Sequence, residues 1–325
     1  MADPKNQRIF ITGASGYVGG RIATFAIAEG YTVHGLSRTE SSDAKLKAMG
    51  AVPVRGDLTS LDVLRRESAA ADVVMHLADP FTRDLSHGYE PVIRQQAAVA
   101  DAFADSMQGT GKALVMTSGT LMAAADPNGG ETDETAPRPE KTLVPRHLVE
   151  EYDLSLAKKG IRVSSIRLAP YVYGRGGSGV KLFMQMSAKS GGVICVDEGK
   201  SHTTTVHVDD AARLYLLAAQ KAPAGSIYNA TAETNVTARQ LAEAISEAVH
   251  VPINFLTFAE AEAKLGVFFA RFLAADNRAS SAKAQKELGW EIREKVGILA
   301  DIRSGSYQAV AKEILSQAGS AAPAN

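Results

Sequence analysis

Arg8-Ile-Phe-Ile-Thr-Gly-Ala-Ser-Gly-Tyr-Val-Gly-Gly20 begins as a short apolar run of strand character. It turns through glycines at 13, 16 and 19 into an Ala-rich stretch of helix length, residues 17–29, that stops at Gly30. The three glycines have separate physical uses. The first permits a tight turn, the second lets a pyrophosphate approach backbone N–H groups, and the third lets helix and sheet pack closely. The helix N-terminus adds unpaired donors and the positive end of its dipole. A glycine triplet alone is a weak signal, but between a strand and a helix, with a second strand over 31–37, it has the context a dinucleotide requires. Gly13, Ser15, Gly16, Tyr17, Val18 and Gly19 are therefore candidate cofactor contacts.

Outward from this turn, strands at 52–55, 72–78 and 113–118 alternate with helices at 42–49, 60–68 and roughly 88–108. Such alternation predicts an α/β fold, a doubly wound parallel Rossmann sheet with helices on both faces. Prolines and glycines keep 119–141 a loop, after which a helix over 144–159 and a strand over 161–168 are expected. The pattern loosens at Gly174-Arg-Gly-Gly-Ser-Gly179, before a helix over 180–189. A further strand–helix unit follows at 203–208 and 209–220. Beyond Gly225 helices dominate: 237–249 with Thr237 as N-cap, 259–271, 280–288 and 296–316. We therefore divide the chain into a dinucleotide-binding domain, 1–177, rejoined at about 201–230, and a smaller, mainly helical C-terminal substrate lobe, 178–325.

The second strand ends in Gly35-Leu36-Ser37-Arg38-Thr39. A carboxylate there would take a ribose 2′-hydroxyl, whereas an arginine suits a 2′-phosphate. Arg38, with Ser37 as a second donor, favours NADP(H) over NAD(H).

Composition narrows the class. Of 325 residues, 45% are apolar, and 35 Lys and Arg balance 36 Asp and Glu. This is a globular chain without the basic excess of a nucleic-acid or membrane-surface binder. Its one cysteine, Cys195, excludes an internal disulfide and suits a reducing compartment. The first apolar run starts only at Ile9, and the greasiest segment, 265–275, is short and carries Arg271, so neither leader nor membrane span is expected. A cytoplasmic location is expected, with a small-molecule substrate and a homodimer as the open question of assembly. No metal site is expected, because His202 and His207 have no third ligand in pattern.

The ordered set Thr12–Gly20, Gly56-Asp57-Leu58, His76-Leu77-Ala78, Met116-Thr117-Ser118 and Val206-His207-Val208-Asp209-Asp210 resembles the extended short-chain dehydrogenase/reductases, the NAD-dependent epimerase/dehydratase superfamily. The resemblance implies that Asp57 and Leu58 face the adenine and that Leu77, Ala78 and Pro170 border the cofactor cleft. It implies that Asp209 or Asp210 caps a helix rather than catalysing. It also places Ser118 on the substrate oxygen.

The family's Tyr-x-x-x-Lys pair is absent. Counting back from Glu150, four residues beyond the family lysine, puts Arg146 at the lysine and Thr142 at the tyrosine; counting from Glu151 gives His147 and Leu143. Arginine keeps the charge but cannot shuttle a proton, and a threonine hydroxyl is far too weak an acid. Substitute acids are sought at Tyr171 and Tyr173, of which alternation along a strand lets at most one face the cleft. Tyr89 and His202 are further candidates on the substrate side. Three functions share these residues: an NADP(H)-dependent oxidoreductase on a small carbonyl or alcohol, a non-redox isomerase, cyclase or dehydratase, and a dinucleotide-sensing protein without turnover.

Overall fold

The computed structural model describes residues 7–80 and 88–320. Residues 1–6, 81–87 and 321–325 lie outside the described residues. The chain starts with β1 (Arg8–Thr12), α1 (Tyr17–Ala28), β2 (Thr32–Ser37), α2 (Glu40–Ala48), β3 (Val52–Arg55), α3 (Leu61–Ala70) and β4 (Val73–His76). It continues with α4 (Glu90–Met107), β5 (Ala113–Gly119), α5 (Arg146–Ser155) and β6 (Arg162–Leu168). Next come β7 (Tyr171–Tyr173), α6 (Ser178–Ser190), β8 (Val193–Val196), β9 (His202–His207), α7 (Val208–Lys221) and β10 (Ser226–Ala230). The last part holds β11 (Glu233–Thr237), α8 (Ala238–Val249), β12 (Ile253–Leu256), α9 (Phe258–Leu265), α10 (Val267–Ala274), α11 (Ala282–Leu288), α12 (Ile298–Ser304) and α13 (Gln308–Ser320).

Seven parallel strands form the main sheet in the order β10-β6-β5-β4-β1-β2-β3. This is the doubly wound α/β sheet expected. Its central strands are apolar on both sides because helices cover both faces: Ile9 and Ile11 pack towards α1 and α7, Phe10 and Val74 towards α3 and α4. Strand order reverses between β1 and β4, where ligands settle in such sheets. Thr12 pairs with His76 across that point, so the glycine turn and Leu77-Ala78 leave the sheet side by side.

The C-terminal lobe is less purely helical than expected. A three-stranded sheet, β11-β9-β7, and a parallel pair, β8 and β12, accompany its helices. Thr237 caps α8 as predicted, its side chain accepting from Gln240 N while the Gln240 side chain accepts from Thr237 N. Two expected long helices are broken. Gly266, at φ +81°, separates α9 from α10, and Gly305 ends α12 before α13. Among the described residues no helix is long and apolar enough to cross a membrane.

Candidate active site

The cleft at the strand-order reversal is built by its glycine turn. Gly13 has φ +81°, and a Cβ there would lie 3.0 Å from Ala78 N. A Cβ on Gly19 would fall 2.2 Å from Gly13 O, so the third glycine lets the helix close on the turn. Gly16 is the N-cap of α1 and offers no side chain, leaving the first-turn N–H groups open to a ligand. A buried polar chain holds the opposite wall. His76 Nδ1 meets Thr12 Oγ1 at 2.7 Å and its Nε2 meets Gln96 Oε1 at 2.6 Å, while Gln96 donates to Ala78 O at 3.3 Å. Complete burial pulls the His76 pKa down to about 4, so the ring is neutral.

Gly13, Ser15, Gly16, Arg38, Asp57, Leu58 and Ala78 line one cleft of about 440 Å³, with Ser42 and Asp79. Asp57 folds into its own turn, accepting from Thr59 N at 2.8 Å, and these bonds hold its carboxyl below the usual range. Arg38 is exposed, and among the described residues no ion pair engages its guanidinium. Other expected contacts are placed differently. The Ser37 hydroxyl is buried and donates to Thr39 O at 3.2 Å. Tyr17 donates to Gly174 O at 2.7 Å, while Val18 and Leu77 pack into the core beside the turn.

A second, largely apolar pocket of about 230 Å³ is lined by Ser118, Arg146, Pro170, Leu143, Val144 and Phe272, among others. Ser118 is the penultimate residue of β5, and among the described residues its hydroxyl donates to the Met122 sulfur at 3.4 Å, a weak acceptor that a substrate oxygen can replace. Arg146 opens α5. Its Nη2 donates to Thr117 O at 2.8 Å, and its Nη1 reaches the Asp79 carboxylate and the Tyr89 hydroxyl, the latter at 3.4 Å. One turn on, Glu150 is buried against Arg167 at 2.6 Å and accepts from Ser165 at 2.7 Å, locking α5 to β6. Of the two counts along this helix, the structure puts Arg146 into the pocket. Glu151 is exposed and pairs with Arg138, and His147 does not line the pocket.

Thr142 is not on that helix. Pro145 caps α5, which starts at Arg146 rather than 144, so the four-residue spacing from Thr142 to Arg146 is no helical turn. Leu143 and Val144 line the pocket instead. Tyr171 is buried against Phe183 and Phe272 outside it, and burial drives its phenol pKa upward. The Tyr173 hydroxyl donates to Val296 O at 2.8 Å, so neither strand phenol enters the pocket. His202 accompanies Asp276 at the far end of β9, its Nδ1 3.5 Å from the carboxylate. The cap of α7 is neither Asp209 nor Asp210 but His207, which accepts from Asp209 N at 3.2 Å. Asp209 pairs with Arg21 and Arg175, which bring its pKa down to about 2 despite its burial. Asp79 was missed in the sequence. Its signal was a carboxylate directly after His76-Leu77-Ala78 at the C-terminal end of a sheet strand.

The model of the NAD dependent epimerase/dehydratase family matches residues 9–231. An uncharacterized protein of Schizosaccharomyces pombe is 35% identical over 93% of this chain and 100% of its own length. The 4-hydroxy-2-methyl-3-oxo-4-farnesyl-3,4-dihydroquinoline-1-oxide ketoreductase of Stigmatella aurantiaca is 26% identical over 85% of each protein. In fold, the chain is similar to the UDP-glucose 4-epimerase of Thermotoga maritima, solved with UDP-glucose. The TM-score is 0.74 at 19% identity, covering 93% of this chain and 98% of the epimerase.

Proposed function

This chain belongs to the NAD dependent epimerase/dehydratase family, and we propose that it is an NADP(H)-dependent reductase of a small, largely apolar organic carbonyl. The observation that carries the proposal is the junction of two sites. The glycine cleft, with its exposed Arg38, ends at Ala78 and Asp79, and Asp79 binds the Arg146 that lines the apolar Ser118 pocket. The cleft suits the dinucleotide physically: glycines leave backbone donors open where side chains would close the turn, and Arg38 supplies an exposed cation directly after β2. When bound, the cofactor supplies hydride to the carbonyl carbon.

The chain's own residues supply the remainder. Ser118 donates to the carbonyl oxygen as negative charge develops there. Leu143, Val144, Pro170 and Phe272 exclude water from the pocket. Arg146 is permanently charged and holds the end of β5 and the Asp79 wall in place. Kinship with a bacterial ketoreductase along most of both chains supports carbonyl reduction over sugar epimerisation.

Calorimetric titration with NADPH and NADH tests the cofactor assignment. NADPH is expected to bind more tightly, and Arg38→Asp to reverse the order. Equal affinities in the parent would remove that role from Arg38. Product formed from the carbonyl with no change in NADPH absorbance would favour a non-redox enzyme instead.

A further inference from the structure

We propose that the C-terminal lobe carries a second ligand site, for a medium-chain aliphatic carboxylate, in a cavity separate from the Ser118 pocket. The cavity holds about 400 Å³, within the range of small-molecule pockets, about 300–1,000 Å³. The C-terminal part of α6, the strand β8, the first two turns of α8 and the C-terminal ends of α9 and α10 enclose it. It shares no lining residue with the Ser118 pocket. The partition between them is aromatic. Tyr171 and Phe183 face the cavity, and Phe272 faces the Ser118 pocket. The Phe272 ring lies 5.5 Å from that of Tyr171 and stacks on Phe183 at 5.9 Å.

The lining selects the ligand class. Met186, Leu241, Ile245, Leu265 and Leu273 present flexible aliphatic side chains, which adapt to an unbranched hydrocarbon. Among the described residues that line the cavity, two are charged, Lys189 and Lys264. Both are cations, both are exposed, and no ion pair engages either. Ser187, two residues before Lys189 on α6, also lines the cavity and is 6% exposed. Among the described residues its hydroxyl has no hydrogen-bond partner, although a buried hydroxyl ordinarily finds one. A carboxylate head supplies that acceptor and answers the two lysines, while its chain fills the apolar interior. A neutral chain of the same length leaves the lysines unanswered, and an alkylammonium meets two like charges.

Calorimetry and methyl NMR on the full chain test the proposal, with octanoate, octanol and octyltrimethylammonium as probes. Octanoate should bind about tenfold more tightly than octanol, the sum of two exposed charge pairs, and the ammonium more weakly than either. Replacing both lysines together, Lys189→Gln with Lys264→Gln, should erase the preference for octanoate without disturbing the fold, since both side chains are exposed. Methionine methyls labelled with carbon-13 locate the ligand, because Met186 lines the cavity and Met122 the Ser118 pocket. The resonances missing from Met186→Leu and Met122→Leu assign the two. Octanoate should shift Met186 and leave Met122 in place. Equal affinity for octanoate and octanol, or a preference that survives loss of both lysines, would overturn the proposal. So would a fixed Met186, a shift of Met122 in the same titration, or displacement of octanoate by uridine diphosphate.

Discussion

Glu150→Gln removes one charge and almost no volume from the anchor of α5. In the parent, Glu150 accepts from Arg167 Nη2 at 2.6 Å, from Arg167 Nε at 3.1 Å and from Ser165 at 2.7 Å. Glu150 is 5% exposed and Arg167 9%, so water cannot replace the lost charge. Breaking one side of a buried pair costs about 3–5 kcal/mol, chiefly because the other ion is stranded. The amide oxygen can still accept one Arg167 hydrogen, which points to the lower end, about 3 kcal/mol. For a chain of this size that lowers Tm by about 4 °C. Thermal unfolding followed by circular dichroism and by the fluorescence of Trp290, the one tryptophan, would show it. Adding Arg167→Met removes the stranded cation, so the double variant should recover much of the loss. A single variant melting within about 1 °C of the parent, or a double variant falling as far as the single, would refute the account of the α5 anchor.

Gly13→Ala should cost about 1–2 kcal/mol, because a side chain is strained at φ +81°. It should also weaken NADPH binding by pressing the turn against Ala78, and a titration matching the parent would count against the cradle. Ser118→Ala should lower kcat/KM on a reduced carbonyl about 100-fold, whereas Thr142→Val, outside the helix and the pocket, should change it less than about threefold. The reverse order in steady-state kinetics would exchange their roles. His76 is neutral in the fold with its pKa near 4 against an ordinary 6.5. Between those values the unfolded chain binds the extra proton, so stability should fall as pH drops from about 6.5 towards 4. Denaturant unfolding across that window should show a shallower fall in His76→Gln, and equal slopes would assign the loss to other groups.

Local chemistry was legible in the sequence because its causes lie within a few residues of one another. The turn at Gly13, the approach at Gly19 and the cap at Thr237 are decided by backbone sterics and near-neighbour hydrogen bonds, and alternating strand and helix patterns determined the parallel sheet. Arg38 was singled out by its position after the second strand, and Ser118 by the family resemblance. The four-residue count back from Glu150 failed at Thr142 because it assumed a helical turn that Pro145 delays. Which phenol stands where was likewise beyond any local pattern. Val296, the partner that takes the Tyr173 hydroxyl, lies 123 residues away, and Tyr89 and Asp79 reach Arg146 across 57 and 67 residues. Hydrogen bonds and ion pairs act over a few ångströms of space and are indifferent to separation along the chain. The sequence therefore determined the cradle and the sheet, and tertiary packing alone decided which side chains gather beside Ser118.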